Sequence, residues 1–204
     1  YFQKLLQEGR SPQVPIIIDS PMASKATAIT LTNPQEYDEE ARALYEMHGN
    51  RLLAIPNLRF TATAQESRMI NEMPGPKIIV SASGMAAAGR ILHHLKHNLW
   101  HENCSVIIAG YQAEGTMGRR LIEGSKQVKI MGEDIKVNAK IYNMKGFSAH
   151  ADKEQLLEWY GKMKQPPKAF FVTHGEFGAA SNFADELQLR LGTAAYIQQN
   201  GESV

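Results

Sequence analysis

Short apolar runs alternate with longer amphipathic stretches along the chain. The runs VPIIID, KIIVSA, SVIIAG, AFFVTH and AAYIQ are apolar nearly throughout, as parallel strands buried on both faces are. They predict strands at 14–19, 77–82, 105–110, 169–174 and 194–198. Helical periodicity predicts helices at about 35–48, 64–72, 86–101, 116–123, 153–164 and 178–191. This alternation predicts an α/β fold with a mostly parallel sheet flanked by helices.

A different pattern occupies residues 126–144, where apolar and polar side chains alternate on both sides of Gly132-Glu133-Asp134. Strict alternation around a turn predicts an antiparallel hairpin with one solvated face. The hairpin separates the first α/β stretch from the segment GFSAHAD at 146–152.

Small and polar residues gather where the predicted strands end. Asp19-Ser20 follows the first strand, Ser81 to Gly84 the second, Gly110-Tyr111 the third and His174-Gly175 the fourth. Ligands of open α/β sheets bind beyond the carboxyl ends of the strands. One edge of the sheet is therefore the predicted working face.

Composition narrows the function only slightly. The 204 residues are 43% hydrophobic and 21% charged, which is typical of a globular protein, and the net charge of +1 favours neither a polyanion nor a polycation as partner. Cys104 is the only cysteine, which favours a reducing, cytoplasmic compartment. No apolar run approaches the roughly 20 residues of a membrane span. The first residue is not Met, so we expect the chain to be a piece of a longer protein.

The stretch from Gly84 to Arg90 has glycines spaced as in a phosphate-binding loop. It lacks the Lys and Ser/Thr of a nucleotide-hydrolysing P-loop, so ATP or GTP hydrolysis is not expected. Ser83 and Gly84 are predicted to begin a helix, where free N–H groups can hold a phosphate, with Arg90 nearby. The alternative is a tight strand-to-helix turn with no ligand.

Histidines supply the remaining candidate chemistry. Asp152 is a predicted N-cap with Gln155 in the capping-box position, so His150 would lie just before the positive end of a helix. It could bind metal, contact phosphate or carry a proton, although an isolated loop histidine is more often structural or solvated. His174 ends a strand and should point into the cleft. Ser148 and His150 lie too close in sequence for a Ser-His hydrolase pair.

A second cluster, HHLKH at 93–97, places His93 and His97 on one helical face. Zinc needs three or four ligands, and no acid completes the set. We expect a solvated helix stripe rather than a metal site.

Five ordered blocks together resemble the second half of the β-CASP nucleases, RNA-processing enzymes of the metallo-β-lactamase fold. The blocks are DSPMASKAT, SASGMAAAGRILHHLKHNLW, IIAGYQAEGTMGRRLIEG, GFSAHAD and THGE. The resemblance extends over nearly the whole chain. It implies a Rossmann-like β-CASP domain at 1–143, lacking its N-terminal part, followed at 144–204 by C-terminal strand-helix units of the metallo-β-lactamase domain.

The resemblance also implies roles for individual residues. His150 would assist proton transfer at the scissile phosphate, and His174 would be a zinc ligand of a site that holds two zinc ions in the parent enzyme. A histidine at 174 implies single-stranded RNA as substrate. Ser83, Gly84, Arg90 and Ser148 would contact RNA or its phosphates. The implied reaction is metal-assisted hydrolysis of a phosphodiester.

The family's H-x-H-x-D-H motif is absent from this sequence, so the zinc ligand set is incomplete. The resemblance thus predicts a metal-dependent ribonuclease as the parent protein, with a missing N-terminal half as partner and with the 204-residue chain inactive alone. The alternatives are a non-catalytic RNA-binding module and a scaffold subunit. Apolar surface left uncovered by the missing half makes self-association into a homodimer a further expectation.

Overall fold

The computed structural model describes residues 2–49, 51–53, 55–147, 150–198 and 201. They divide into two compact units. The first comprises the described residues up to Ile108 together with Thr116–Tyr142, and the second comprises Ala109–Gly115 and the described residues from Asn143 onward.

The elements alternate between strands and helices, as the sequence predicts. The helices are α1 (Phe2–Gln7), α2 (Pro21–Thr32), α3 (Glu39–Met47), α4 (Ala64–Glu72), α5 (Arg90–Asn98), α6 (Met117–Ile122), α7 (Lys153–Gly161) and α8 (Phe177–Leu191). The strands are β1 (Ile16–Asp19), β2 (Leu58–Phe60), β3 (Ile78–Ser81), β4 (Ser105–Ile108), β5 (Gln127–Ile130), β6 (Glu133–Lys136), β7 (Lys140–Asn143), β8 (Ala169–Val172) and β9 (Ala194–Ile197). The predicted α/β class is confirmed.

A parallel sheet in the order β2-β1-β3 organises the first unit. Strand β1 lies in its centre, which explains why Ile16 and Ile17 are almost fully buried. In the β1-β3 register Asp19 is opposite Ser81, so the ends of these two strands lie side by side. This arrangement brings two of the predicted strand-end segments to the same sheet edge.

The rest of the first unit packs around an apolar core to which helix α5 contributes Leu95. Strands β5 and β6 form the predicted antiparallel hairpin, with Val128 and Ile130 buried on its inner face. Strand β7 pairs with β4. The core contains Ala86, Leu95, Leu99, Ile108, Met117, Leu121, Val128, Ile130 and Ala139.

The second unit contains the parallel pair β8-β9, which packs with helices α7 and α8. Its core is formed by Leu157, Phe170 and Leu187. Helix α7 begins at Lys153, and Asp152 and Gln155 form the predicted capping box. Helix α8 ends at Leu191, and the next residue, Gly192, caps it with a left-handed backbone at φ 64°.

The sequence pattern does not predict two of the elements. Helix α2 was not predicted, because none of its residues is buried and its apolar positions form no stripe; Ser20 caps it and Pro21 starts it. Strand β2 has only three residues and carried too short a pattern to be recognised. Among the described residues, no helix is both long and apolar enough to cross a membrane.

Candidate functional site

A buried carboxylate lies at the end of strand β1. The Asp19 side chain has no solvent exposure, and four side chains from other elements surround it. Its Oδ1 accepts hydrogen bonds from the Thr61 hydroxyl and from Arg90 Nη1, the latter at 2.7 Å. Its Oδ2 contacts Ser67 Oγ and His94 Nε2, both at 2.6 Å. Each carboxylate oxygen thus has two hydrogen-bonding partners, and these bonds offset the cost of burying the charge.

These contacts determine the ionisation of Asp19. Burial alone would raise the pKa of the carboxyl group, but hydrogen bonds from Ser67, Thr61, His94 and Arg90 outweigh burial and lower the pKa from 3.8 to about 2. Asp19 therefore remains ionised at neutral pH. It is a fixed negative charge beneath the surface of the first unit.

His94 is held at both ring nitrogens. Its Nε2 faces Asp19, and its Nδ1 lies 3.0 Å from Asn71 Oδ1. The Asn98 amide donates to the same Asn71 oxygen at 3.3 Å, which fixes the orientation of the Asn71 side chain. His94 thereby ties helices α4 and α5 to the end of β1, and its neighbours His93 and His97 are exposed.

The segment between β3 and α5 forms a compact loop. Ser83 N–H donates to the Ala88 carbonyl, and Ala88 N–H donates in turn to Ser83 Oγ, both at 3.3 Å. Met85 carbonyl accepts the Gly118 N–H at 3.1 Å, so the loop also contacts the start of α6. We call residues 82–89 the serine loop.

The structure corrects one expectation about this loop. Ser83 and Gly84 do not begin a helix, because α5 begins only at Arg90. Ala86 at φ 53° and Gly89 at φ 80° are incompatible with a helical backbone. The Ser83 N–H is also used inside the loop rather than left free. An anion bound at Ser83 and Gly84 would therefore meet a turn, and the N-terminus of α5 lies further along at Gly89 and Arg90.

A cleft of about 370 Å³ lies between this loop and the start of α2. It is lined by Asp19, Ser20, Pro21, Met22, Ala82, Ser83, Ala88, Gly89 and Arg90. Ser83 and Arg90 therefore share one cleft, whereas Gly84 lies exposed on the same loop. The Arg90 side chain is only 18% exposed and is paired with Asp19 from below.

The second unit carries the other predicted residues. His174 is exposed and has a left-handed backbone at φ 64°. Two positions later, the Glu176 carboxylate accepts hydrogen bonds from the Tyr111 hydroxyl and from the Glu114 N–H. The loops that follow β4 and β8 are thus joined, although β4 and β8 belong to different sheets and not to the single sheet that the sequence predicts. His150 is exposed in this unit, and Ser148 lies outside the described residues.

The described residues do not make a zinc site on their own. In that part of the chain, no group of three or more His, Cys, Asp or Glu side chains is placed to hold a metal ion. Zinc in proteins takes three or four such ligands. His174 can therefore contribute at most one ligand, and the described residues do not supply the others that a zinc ion needs.

Sequence reasoning missed the Asp19 cluster. Its members come from four separate segments, and Asp19 and Arg90 lie 71 positions apart, so no local pattern joins them. The one available signal was Asp19 itself, an acidic residue closing an apolar strand. Such a residue must be paired or lie at a surface.

The fold and these strand-end loops define an α/β protein with a polar working edge, and comparison with known proteins identifies its family. A family model described as the Beta-Casp domain matches residues 1–121, and a second, described as the Zn-dependent metallo-hydrolase RNA specificity domain, matches residues 134–198. The chain belongs to the β-CASP family, which confirms the resemblance inferred from the sequence.

Several curated proteins are similar to almost the whole chain. Ribonuclease TTHA0252 of Thermus thermophilus is 33% identical over 195 residues, which cover 96% of this chain and 44% of that protein. The transcription termination factor FttA is 28% identical over 98% of this chain in Methanocaldococcus jannaschii and over 99% in Methanosarcina mazei. The chain covers 33% and 32% of those two proteins. It thus spans less than half the length of these relatives.

Proposed function

We propose that this chain is part of a zinc-dependent ribonuclease that hydrolyses single-stranded RNA. The observation that supports this most is the pair of family models, of which the second names an RNA specificity domain of Zn-dependent metallo-hydrolases. A relative named as a ribonuclease points the same way. Residues 1–143 are the proposed β-CASP domain, and residues 144–204 are the proposed C-terminal segment of a metallo-β-lactamase domain. A cytoplasmic location belongs to the same proposal.

The proposed roles follow the chemistry of the strand-end loops. His174 would supply one ligand to a zinc site completed by residues of a missing N-terminal half. When bound there, two zinc ions would supply positive charge against the phosphodiester. His150, exposed before the N-terminus of α7, would hold or deliver a proton at the leaving oxygen.

The cleft of the first unit is the proposed site for RNA phosphate. Ser83 and Gly84 offer a hydroxyl group and an exposed backbone, and Arg90 adds positive charge beside them. Asp19 holds that guanidinium in place, so its position is fixed before RNA arrives. Ser148 remains a proposed phosphate contact outside the described residues.

Histidine substitutions in the full-length protein test the catalytic part of this proposal. We expect His174→Ala to abolish cleavage of a single-stranded RNA, and His150→Ala to reduce the cleavage rate by about 100- to 10,000-fold. His97→Ala is the matched control, because this histidine is exposed in the first unit and has no proposed role. Full cleavage by the His174 variant would contradict the assignment.

A non-catalytic RNA-binding module or scaffold is the second candidate. It is favoured by one observation: the described residues contain no complete metal-ligand group. A binding module should retain its RNA affinity in His174→Ala and lose it in Arg90→Glu, with no cleavage by the protein at any length. A scaffold should show no RNA affinity at all.

A further inference from the structure

Three lysines surround a concave surface on the first unit, away from the serine loop in sequence. The surface has a volume of about 560 Å³. Its lining residues are Glu102, Lys126, Lys136, Val137, Asn138 and Lys140. We call this surface the lysine pocket.

Backbone hydrogen bonds bring the lysines together. Val137 N–H donates to the Lys126 carbonyl at 2.8 Å, which joins the two outer ends of the β5-β6 hairpin. Lys140 N–H donates to the Cys104 carbonyl at 3.0 Å. Asn138 N–H donates to the Leu99 carbonyl at 2.8 Å, just beyond the end of α5. The positions of all three Cα atoms are therefore set by the fold and not by the flexible side chains.

The positive charge of the lysines exceeds the negative charge among the residues that line the pocket. Some lysines of the chain are paired, such as Lys96 with Glu133 at 2.7 Å and Lys162 with Glu158 at 2.6 Å. Within the part of the chain that the structure describes, Lys126, Lys136 and Lys140 form no ion pair. Glu102 is the only acid among the lining residues. Three cations against one anion leave a local excess of positive charge in a chain whose net charge is +1.

The backbone of an exposed aromatic residue adjoins the pocket. The Asn138 side-chain amide donates to the Trp100 carbonyl at 2.9 Å, so Trp100 adjoins the lining. The Trp100 side chain is half exposed, and its ring lies against His101 with 3.6 Å between the ring centroids and a tilt of 32° between the ring planes. Proteins bind single strands by combining cations for the backbone with aromatic faces on which bases stack.

We propose that the lysine pocket binds the phosphate backbone of single-stranded RNA, with Trp100 available to a base. This inference rests on the proposed function and adds a second RNA contact to the cleft beside the serine loop. RNA fits better than an acidic protein segment because Trp100, whose backbone carbonyl is bonded to a lining residue, has a half-exposed indole that suits a nucleobase. In addition, Lys136 and Lys140 lie in the stretch that matches the RNA specificity domain.

A pair of charge-reversal variants of the intact protein tests this proposal. K136E/K140E alters the pocket, and K164E/K168E is the matched control, since both pairs are exposed and both change the net charge by the same amount. The probe is a fluorescein-labelled 20-nucleotide oligo(U), with binding followed by fluorescence polarisation between 50 and 200 mM salt. We expect K136E/K140E to weaken binding by about 10-fold or more and to reduce the slope of log K against log salt by about 1.4, or 0.7 per lost phosphate contact.

The outcomes separate this inference from the proposed function. If the unmodified protein binds oligo(U) and K136E/K140E binds equally well, or if both double variants weaken binding to the same extent, the lysine pocket is not an RNA site although RNA binding stands. If the unmodified protein binds no RNA, the proposed function itself fails. Binding of labelled poly-glutamate that is lost in K136E/K140E, with no binding of oligo(U), would assign the pocket to an acidic protein. Circular dichroism spectra of K136E/K140E and of the milder variant K136Q/K140Q show whether a loss of RNA binding comes from a folding defect.

Discussion

At the scale of single residues, Asp19 is a buried carboxylate held by four side chains. A carboxylate without solvent exposure persists only because Thr61, Ser67, Arg90 and His94 all contact it. Removing one partner leaves a buried charge without its full set of contacts, which costs more than the contact contributes. The cluster therefore behaves as one unit under the serine loop.

The lowered pKa of Asp19 predicts how stability depends on acid. The folded pKa is about 2 against an ordinary value of 3.8, so ionised Asp19 contributes stability that is fully present above about pH 5. That contribution, about 2 kcal/mol, is lost progressively as the pH falls through 3.8 toward 2. Urea unfolding of the protein and of Asp19→Asn between pH 6 and 3 measures it. The variant should be less stable at pH 6, with a difference that shrinks toward pH 3. A difference independent of pH would contradict the assignment.

At the scale of elements, the junction between β3 and α5 depends on one glycine. Gly89 has φ 80°, and a Cβ built there would lie 2.8 Å from the Ala82 carbonyl oxygen, which is backbone and cannot turn away. We expect Gly89→Ala to destabilise the first unit by about 1–3 kcal/mol through strain, and to distort the cleft.

A neighbouring glycine provides the control for that substitution. Gly84 has no left-handed backbone, and a Cβ there would meet nothing within 4 Å. Gly84→Ala should therefore change the free energy of unfolding by much less, as measured by urea unfolding of both variants. Equal loss in the two variants would show that the close approach at Gly89 does not limit stability.

Elements with a strong periodic pattern were predictable from the sequence, and those set by tertiary contacts were not. Helix α4 occupies the predicted residues 64–72, and the β5-β6 hairpin follows its alternating pattern. The start of α5 was predicted too early, because alanines at 86–88 are good helix formers and only Gly89 and the loop contacts interrupt them. The strand-end positions of Ser83 and His174 could be foreseen. The Asp19 cluster could not, since its contacts join segments far apart in sequence.

At the scale of the whole molecule, the places of the histidines and of the positive charges along the chain bear on metal and RNA binding more than their total numbers do. Positive charge is concentrated at Lys126, Lys136 and Lys140, while Arg90 is paired with a buried carboxylate. Histidines are spread over both units: His94 is committed to the Asp19 cluster, and His174 lies in the second unit. Under the proposed function, RNA contacts come from this chain, whereas metal binding needs ligands that the described residues do not provide.

That distribution predicts the zinc content of the chain. After incubation with zinc and extensive dialysis, the isolated 204-residue chain should retain less than one zinc ion per molecule, because His174 alone is too few ligands for stable binding. Full-length protein treated in the same way should retain two. Elemental analysis by mass spectrometry gives both ratios, and a circular dichroism spectrum verifies that the isolated chain is folded. Tight, stoichiometric zinc in the folded 204-residue chain would contradict this expectation and would mean that residues of this chain, including some outside the described part, complete the ligand set.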